Sequence, residues 1–135
     1  MTLTIQNIDE AKETIKNNNI VLFMKGTKDM PGCGFSAHIV QILNNMNVEY
    51  IDIDVLNDPD FKENMKKFTN WPTFPQLYVK GEFIGGIDIV KEMFDSGELL
   101  ELFNTKGIDV KPWSLSRIKF YNQVRFHFNR IWHIF

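Results

Sequence analysis

Cysteine is almost missing from this chain: Cys33 is the only one in 135 residues. No internal disulfide can form, so packing must hold the fold, and a reducing compartment is expected. Nor does any apolar run approach the roughly 20 residues that a membrane span needs. The opening stretch Met1-Thr2-Leu3-Thr4-Ile5-Gln6 has no basic region, apolar signal core or Arg-rich transit pattern, which makes the cytoplasm the expected location. Internal repeats and low-complexity segments are lacking before residue 110. Acidic residues are lacking after it: positions 111–135 hold five basic residues and no acid, whereas 1–110 hold 10 Lys+Arg against 17 Asp+Glu, a net of −7. The overall charge of −2 therefore hides an acidic domain, 1–110, followed by a basic tail, 111–135. At 44% hydrophobic and 24% charged residues, the composition is that of a water-soluble globular domain with an ordinary core. No nucleic-acid partner is expected of it.

What is present centres on the lone cysteine. Met30-Pro31-Gly32-Cys33-Gly34-Phe35-Ser36 follows the apolar run Ile20–Met24, closed by Lys25 and Gly26, and precedes Ile39, Val40, Ile42, Leu43 and Met46 at helical spacing. Cys33 is thus expected in a strand-to-helix turn, at or just before the helix N-terminus. Unpaired N–H groups and the positive end of the helix dipole favour a thiolate there, and Lys25 adds a second positive charge. The simpler alternative is a buried structural cysteine. Glycines on both sides of Cys33 and its loop setting argue for an uncovered sulfur instead.

The remaining chain supplies alternating elements. Ile5, Ile8, Ala11 and Ile15 predict a helix ended by Asn17-Asn18-Asn19. Val48–Ile53 alternates as a second strand, and the helix over 34–46 connects it to the first if the two run parallel. Asn57-Asp58-Pro59-Asp60 starts a helix that carries Phe61, Met65 and Phe68 inward. Trp71-Pro72-Thr73-Phe74-Pro75 breaks the pattern, and Gln76–Val79 with Glu82–Ile84 flank Lys80-Gly81 as a hairpin. Gly85-Gly86 ends it. A helix with Ile89, Val90, Met93 and Phe94 follows, then Ser96-Gly97 and a last turn with Leu99, Leu100, Leu102 and Phe103. The order predicts an α/β domain with helices on both faces of a small mixed sheet.

Ser36 stands three residues after Cys33, where a redox pair would have its second thiol. A Cys-x-x-Ser site cannot resolve a mixed disulfide internally, so an external thiol must do so. Iron–sulfur clusters take four thiolates as a rule, and one chain here offers one. Cluster binding would need a second subunit and two thiols from small molecules.

Met24-Lys25-Gly26-Thr27, Cys33-Gly34-Phe35-Ser36, Trp71-Pro72-Thr73-Phe74-Pro75-Gln76 and Gly85-Gly86-Ile87-Asp88, in this order and spacing, resemble the monothiol glutaredoxins of the CGFS type over about residues 5–105. The resemblance implies a thioredoxin-like fold, a four-stranded mixed sheet flanked by helices on both faces. It implies glutathione as cofactor. Lys25 would pair with the glycyl carboxylate, and Lys62, where relatives often carry arginine, would assist it. The backbone of Phe74, before a Pro75 that is cis in the family, would pair with the cysteinyl unit. Gly86 and Ile87 would offer N–H groups to the γ-glutamyl carboxylate, and Asp88 its carboxylate to the ammonium. Taken singly, the two lysines read as surface charges, Asp88 as a helix cap and Trp71 as a packing residue; together they match one ligand. The resemblance further implies a [2Fe-2S] cluster shared by a homodimer through Cys33 and two glutathiones. That cluster would be received from assembly machinery and passed to apo iron–sulfur proteins, in iron homeostasis, with BolA-like proteins as partners. The alternative is an enzyme of weak activity, with Cys33 as the nucleophile that reduces protein–glutathione mixed disulfides.

The tail lies outside the resemblance. Seven of the 18 aromatic residues fall in it, and Ile118, Tyr121, Val124, Phe128, Ile131 and Phe135 would share one helical face. Such a basic amphipathic segment suits a partner or an anionic membrane surface; docking on its own acidic domain, or poor order at a chain end, is the preferred reading. His127 and His133 are given no metal role, and His38 is expected to face solvent.

Overall fold

The strand Ile20–Met24 (β2) is buried at all five positions, as a central strand covered on both faces must be. A computed structural model of the chain describes residues 2–3 and 5–110, so the readings made for the basic tail lie outside the described residues. Ile8–Asn17 (α1) precedes β2, and Gly34–Met46 (α2) leads to Ile51–Asp54 (β3). Pro59–Thr69 (α3) is followed by the hairpin Gln76–Val79 (β4) and Glu82–Gly85 (β5), then by Ile87–Ser96 (α4) and Glu98–Thr105 (α5). β2 pairs with β3 in parallel, Val21 beside Ile51 through Met24 beside Asp54. It pairs antiparallel with β4, Ile20 beside Val79 and Phe23 beside Gln76, and β4 pairs antiparallel with β5. These four strands are the expected mixed sheet of a thioredoxin-like fold. A two-residue strand, Thr2–Leu3 (β1), joins the outer edge of β3 in parallel, giving the order β1-β3-β2-β4-β5.

Alternation along β2 divides the core in two. Ile20, Leu22 and Met24 face a cluster with Ile39, Leu43 and Met46 of α2, Val90 of α4, and Leu99 and Phe103 of α5. Val21 and Phe23 face the other cluster, with Ala11 and Ile15 of α1, Phe61 and Met65 of α3, and Phe74. Side chains of a strand point alternately to opposite faces, so one five-residue run seeds both layers.

Local chemistry sets the ends of the elements. Asn7 caps α1 by accepting the Glu10 N–H at 2.9 Å. Asp58 caps α3 by accepting the N–H groups of Asp60 and Phe61, with Pro59 at the first helical position. α2 and α3 end at Asn47 and Asn70, both left-handed at φ 53°, a conformation that asparagine tolerates better than most residues.

Several elements differ from the sequence reading. α1 begins at Ile8, not Ile5, because Asn7 is its cap; Ile5 packs in the α1–α3 cluster from outside the helix. β3 begins at Ile51, and Val48 and Tyr50 pack with α2 as an irregular lead-in. Phe68 is not inward: it is 41% exposed, with the Lys12 ammonium 5.2 Å from its ring centre. Ile89 is also exposed. What read as a last turn is a separate helix, α5, begun by left-handed Gly97. His38 is half-buried rather than open to solvent.

Candidate functional site

Cys33 is the N-cap of α2. Its Sγ accepts the Ser36 N–H at 3.4 Å and lies 3.4 Å from the Ser36 Oγ. Cys33 is half-buried. Burial pushes its pKa up, but the Ser36 hydroxyl, the Ser36 and Phe35 N–H groups and the Lys25 charge outweigh it, and the thiol lies below its ordinary value. Ser36, fully buried, also accepts the Lys25 backbone N–H at 3.2 Å. The residue that replaces a second cysteine thus fastens the start of α2 to the end of β2.

Ser36→Ala removes the strongest of the groups that favour the thiolate, so the pH midpoint for alkylation of Cys33 is expected to rise. Lys25→Ala removes the weakest and shifts it less. Iodoacetamide rates against pH measure both; equal midpoints in wild type and Ser36→Ala would disprove the assignment. Since the wild-type thiol is depressed, its reactivity sets in at lower pH, and the difference between the two proteins is largest between the two midpoints.

The loop before the cysteine is held from several sides. Thr27 and Met30 exchange backbone hydrogen bonds at 3.1 Å, and Gly32 N–H donates to Lys25 O at 2.7 Å. Two carboxylates of β3 reach it: Asp54 accepts the Gly26 N–H at 3.0 Å and Asp52 the Lys28 N–H at 2.8 Å. The loop is therefore registered to the sheet as well as to α2.

Beside it lies a cleft of about 330 Å³. Three cations line it, Lys25 after β2 and Lys62 and Lys66 of α3, with one carboxylate, Asp88 of α4. Pro72, Thr73, Phe74 and Pro75 complete it together with Phe35 and Ile87. The Phe74–Pro75 peptide is cis. The Phe74 ring is buried in the core, while its backbone N–H and C=O make no hydrogen bond among the described residues. Gly86 is the N-cap of α4 and supplies no side-chain cap; Asp88 does not cap the helix either. A Cβ on Gly86 would meet Trp71 Nε1 at 3.3 Å and Pro75 O at 3.4 Å, so glycine lets α4 approach the proline loop. Cationic at one part, carboxylate-bearing at another and with a free backbone edge, the cleft suits a short extended peptide with charged ends.

Of the residues expected from the sequence, Lys25, Lys62, Phe74, Ile87 and Asp88 line this one cleft, and Gly86 stands behind it. Cys33 is not among the lining residues; Phe35, two positions on in α2 and 64% exposed, is. Lys66 was missed, although its spacing of four from Lys62 places both on one helix face; it also holds Glu63 at 3.1 Å. Trp71 does pack, its ring 5.6 Å from that of Phe83. A larger hollow of about 650 Å³, lined by Asn18, Lys28, Asn44, Glu49 and Tyr50 among others, contains none of the motif residues. Among the described residues no three His, Cys, Asp or Glu side chains are grouped to hold a metal ion, so a cluster at Cys33 would draw one thiolate from this chain. No helix among them is long and apolar enough to cross a membrane.

Comparison with known proteins points one way. The family model described as Glutaredoxin matches residues 20–84. The "Probable monothiol glutaredoxin 2" of Rickettsia typhi is 56% identical over 94 residues, which cover 70% of this chain and 85% of that protein. A solution structure of a monomeric truncated mutant of Trypanosoma brucei 1-C-Grx1 superposes with a TM-score of 0.73 at 36% identity, covering 79% of this chain and 97% of the other. Reduced poplar apo GrxS14 gives 0.66 at 42% identity, covering 73% and 91%.

Proposed function

The chain belongs to the monothiol glutaredoxin family, and from that premise we propose that it carries a [2Fe-2S] cluster as cargo between two of its subunits and two glutathiones. The observation that supports this most is the gathering of Lys25, Lys62, Phe74, Ile87 and Asp88 from separate stretches of sequence around one cleft. Glutathione fits it in the orientation that the charges dictate. Lys25 and Lys62, with Lys66 beside them, take the glycyl carboxylate. The open backbone of Phe74 pairs with the cysteinyl unit as an added strand would. The N–H groups of Gly86 and Ile87 take the γ-glutamyl carboxylate, and Asp88 takes the ammonium.

Cys33 supplies one thiolate, kept available by its lowered pKa. Glutathione supplies a second, and the other subunit repeats the pair, which completes the usual four. Exchangeable ligands at an open margin favour handing the cluster on, with apo iron–sulfur proteins as recipients, BolA-like proteins as partners and the cytoplasm as the compartment.

The lowered thiol pKa also suits a second reading, the reduction of protein–glutathione mixed disulfides. The Cys33 thiolate would attack the glutathione sulfur and release the protein thiolate, which takes a proton. A second glutathione thiolate would then attack the Cys33–glutathione disulfide, giving oxidised glutathione and restoring Cys33.

Anaerobic reconstitution with iron, sulfide and glutathione separates the two readings. A coloured species of dimer mass that requires glutathione and is absent from Cys33→Ser is the expected result. A colourless monomer that turns over mixed disulfides would replace the carrier with the enzyme.

A further inference from the structure

We propose that Gln76 is the positioning residue of the cleft, acting as a clamp that fixes the 71–75 loop, and hence the Phe74 backbone, in its ligand-facing shape. The proposal rests on the reading of the cleft as a glutathione site. Trp71-Pro72-Thr73-Phe74-Pro75 cannot organise itself by its own ladder, since its two prolines have no N–H to give. Its first residue hangs from the end of α3, the Trp71 N–H reaching Lys66 O at 3.2 Å and Thr69 Oγ1 at 3.2 Å. Strand pairing resumes only at Gln76, opposite Phe23.

Between these two anchors the Gln76 side chain does the fastening. Its Nε2 donates to Trp71 O at 3.2 Å and to Thr73 O at 3.1 Å, spending both hydrogens on the loop. The reverse orientation of the amide would set its oxygen against two carbonyl oxygens, so donor–acceptor matching settles which atom faces them. Gln76 is fully buried. Its Oε1 is buried with no partner among the described residues, which an apolar side chain of the same size would avoid. A residue that merely filled space would not leave an acceptor unmatched. The two clamped carbonyls bracket Pro72 and stand just before Phe74, and Pro72, Thr73, Phe74 and Pro75 all line the cleft.

The test uses the full chain, labelled with 15N, as wild type and Gln76→Met, which keeps the volume and removes both donors. Amide signals of Thr73 and Phe74, the calorimetric Kd for reduced glutathione and the alkylation rate of Cys33 are measured together. The expected result is displaced Thr73 and Phe74 signals, a glutathione Kd raised about tenfold, as follows if the ligand-facing loop shape falls to about a tenth of the population, and a Cys33 alkylation rate within about twofold of wild type. A general loosening of the fold would move the alkylation rate too. Unmoved loop signals, or moved signals with an unchanged Kd, would overturn the clamp.

Should wild type itself bind no glutathione, the reading of the cleft fails, while the loop signals alone still decide the clamp. Should Gln76→Met fail to fold, Gln76→Glu decides. Its protonated carboxyl keeps one donor, so affinity and loop signals lie between the extremes at low pH and worsen as the carboxyl ionises. Behaviour like wild type at every pH would refute the proposal.

Discussion

Phe23→Ala is expected to lower the unfolding free energy by about 3–5 kcal/mol, the range for deleting a buried phenylalanine. Phe23 is fully buried in the central strand. Its ring lies 6.3 Å from that of Phe61 on α3 and 5.7 Å, edge-on, from that of Tyr78 on β4. It therefore ties one helix to two adjacent strands, and the gap left by alanine cannot be filled without moving all three. Against a usual total of about 5–15 kcal/mol for a domain, the loss is a large fraction. Phe74 belongs to the same cluster, so the cleft is expected to loosen as well. Urea unfolding followed by tryptophan fluorescence measures the change. A loss below about 1 kcal/mol, well under the usual range, would mean that this layer repacks and that the two-cluster description of the core is wrong.

The second large effect concerns Gly26. Its φ is +85°, a conformation that side chains with a Cβ rarely adopt. A Cβ added there would lie 2.5 Å from both Gly32 N and Met30 O, which are backbone atoms with no flexible end to swing away. Gly26→Ala must therefore open the 26–32 loop, losing the pairing of Gly26 with Pro31 and straining the Gly26–Asp54 hydrogen bond. A stability loss of about 2–3 kcal/mol is expected from backbone strain at such a position, together with an altered rate of Cys33 alkylation. Gly34→Ala is the matched control. It sits on the other side of the loop at the start of α2, has no positive φ, and its added Cβ would meet nothing within 4 Å. Nearly unchanged unfolding is expected of it. Equal losses in the two variants would remove the special role given to the left-handed turn.

Much of this fold is written in the periodicity of the chain. α2 can be placed to the residue because Gly34-Phe35-Ser36 follows a cap and Asn47 can turn left-handed. α3 is framed in the same way by Asp58, Pro59 and Asn70, and Lys80-Gly81 marks the hairpin because both residues adopt positive φ. What escaped notice depends on contacts made far along the chain. β1 is two residues long, and only its partner β3 makes Thr2 and Leu3 a strand. The position of Phe68 could not be read from helical spacing, since α1 leaves it uncovered and offers Lys12 to its ring instead. The start of β3 slipped because Val48 and Tyr50 carry an alternating pattern but spend it on packing against α2.

The cleft divides along the same line. Lys25, Phe74 and Asp88 sit in motifs whose local chemistry is distinctive. Lys66 is visible only when Lys62 is already assigned and a helical face is drawn through both. Gln76 stands inside a motif, yet its part lies in the direction of a side-chain amide and in two carbonyls three and five residues away. No property of a lone glutamine in a sequence announces that.

The loop before Cys33 is ordered by the fold itself. Fixing a flexible residue costs roughly 1–2 kcal/mol of conformational entropy, and here that cost is met during folding by Asp52, Asp54 and the Thr27–Met30 exchange. A ligand entering the cleft meets Lys25 with its backbone already held, the N–H by Ser36 and the C=O by Gly32 of that loop. On that side the ordering cost is met by the fold and not by the ligand, which is the advantage of a preorganised wall.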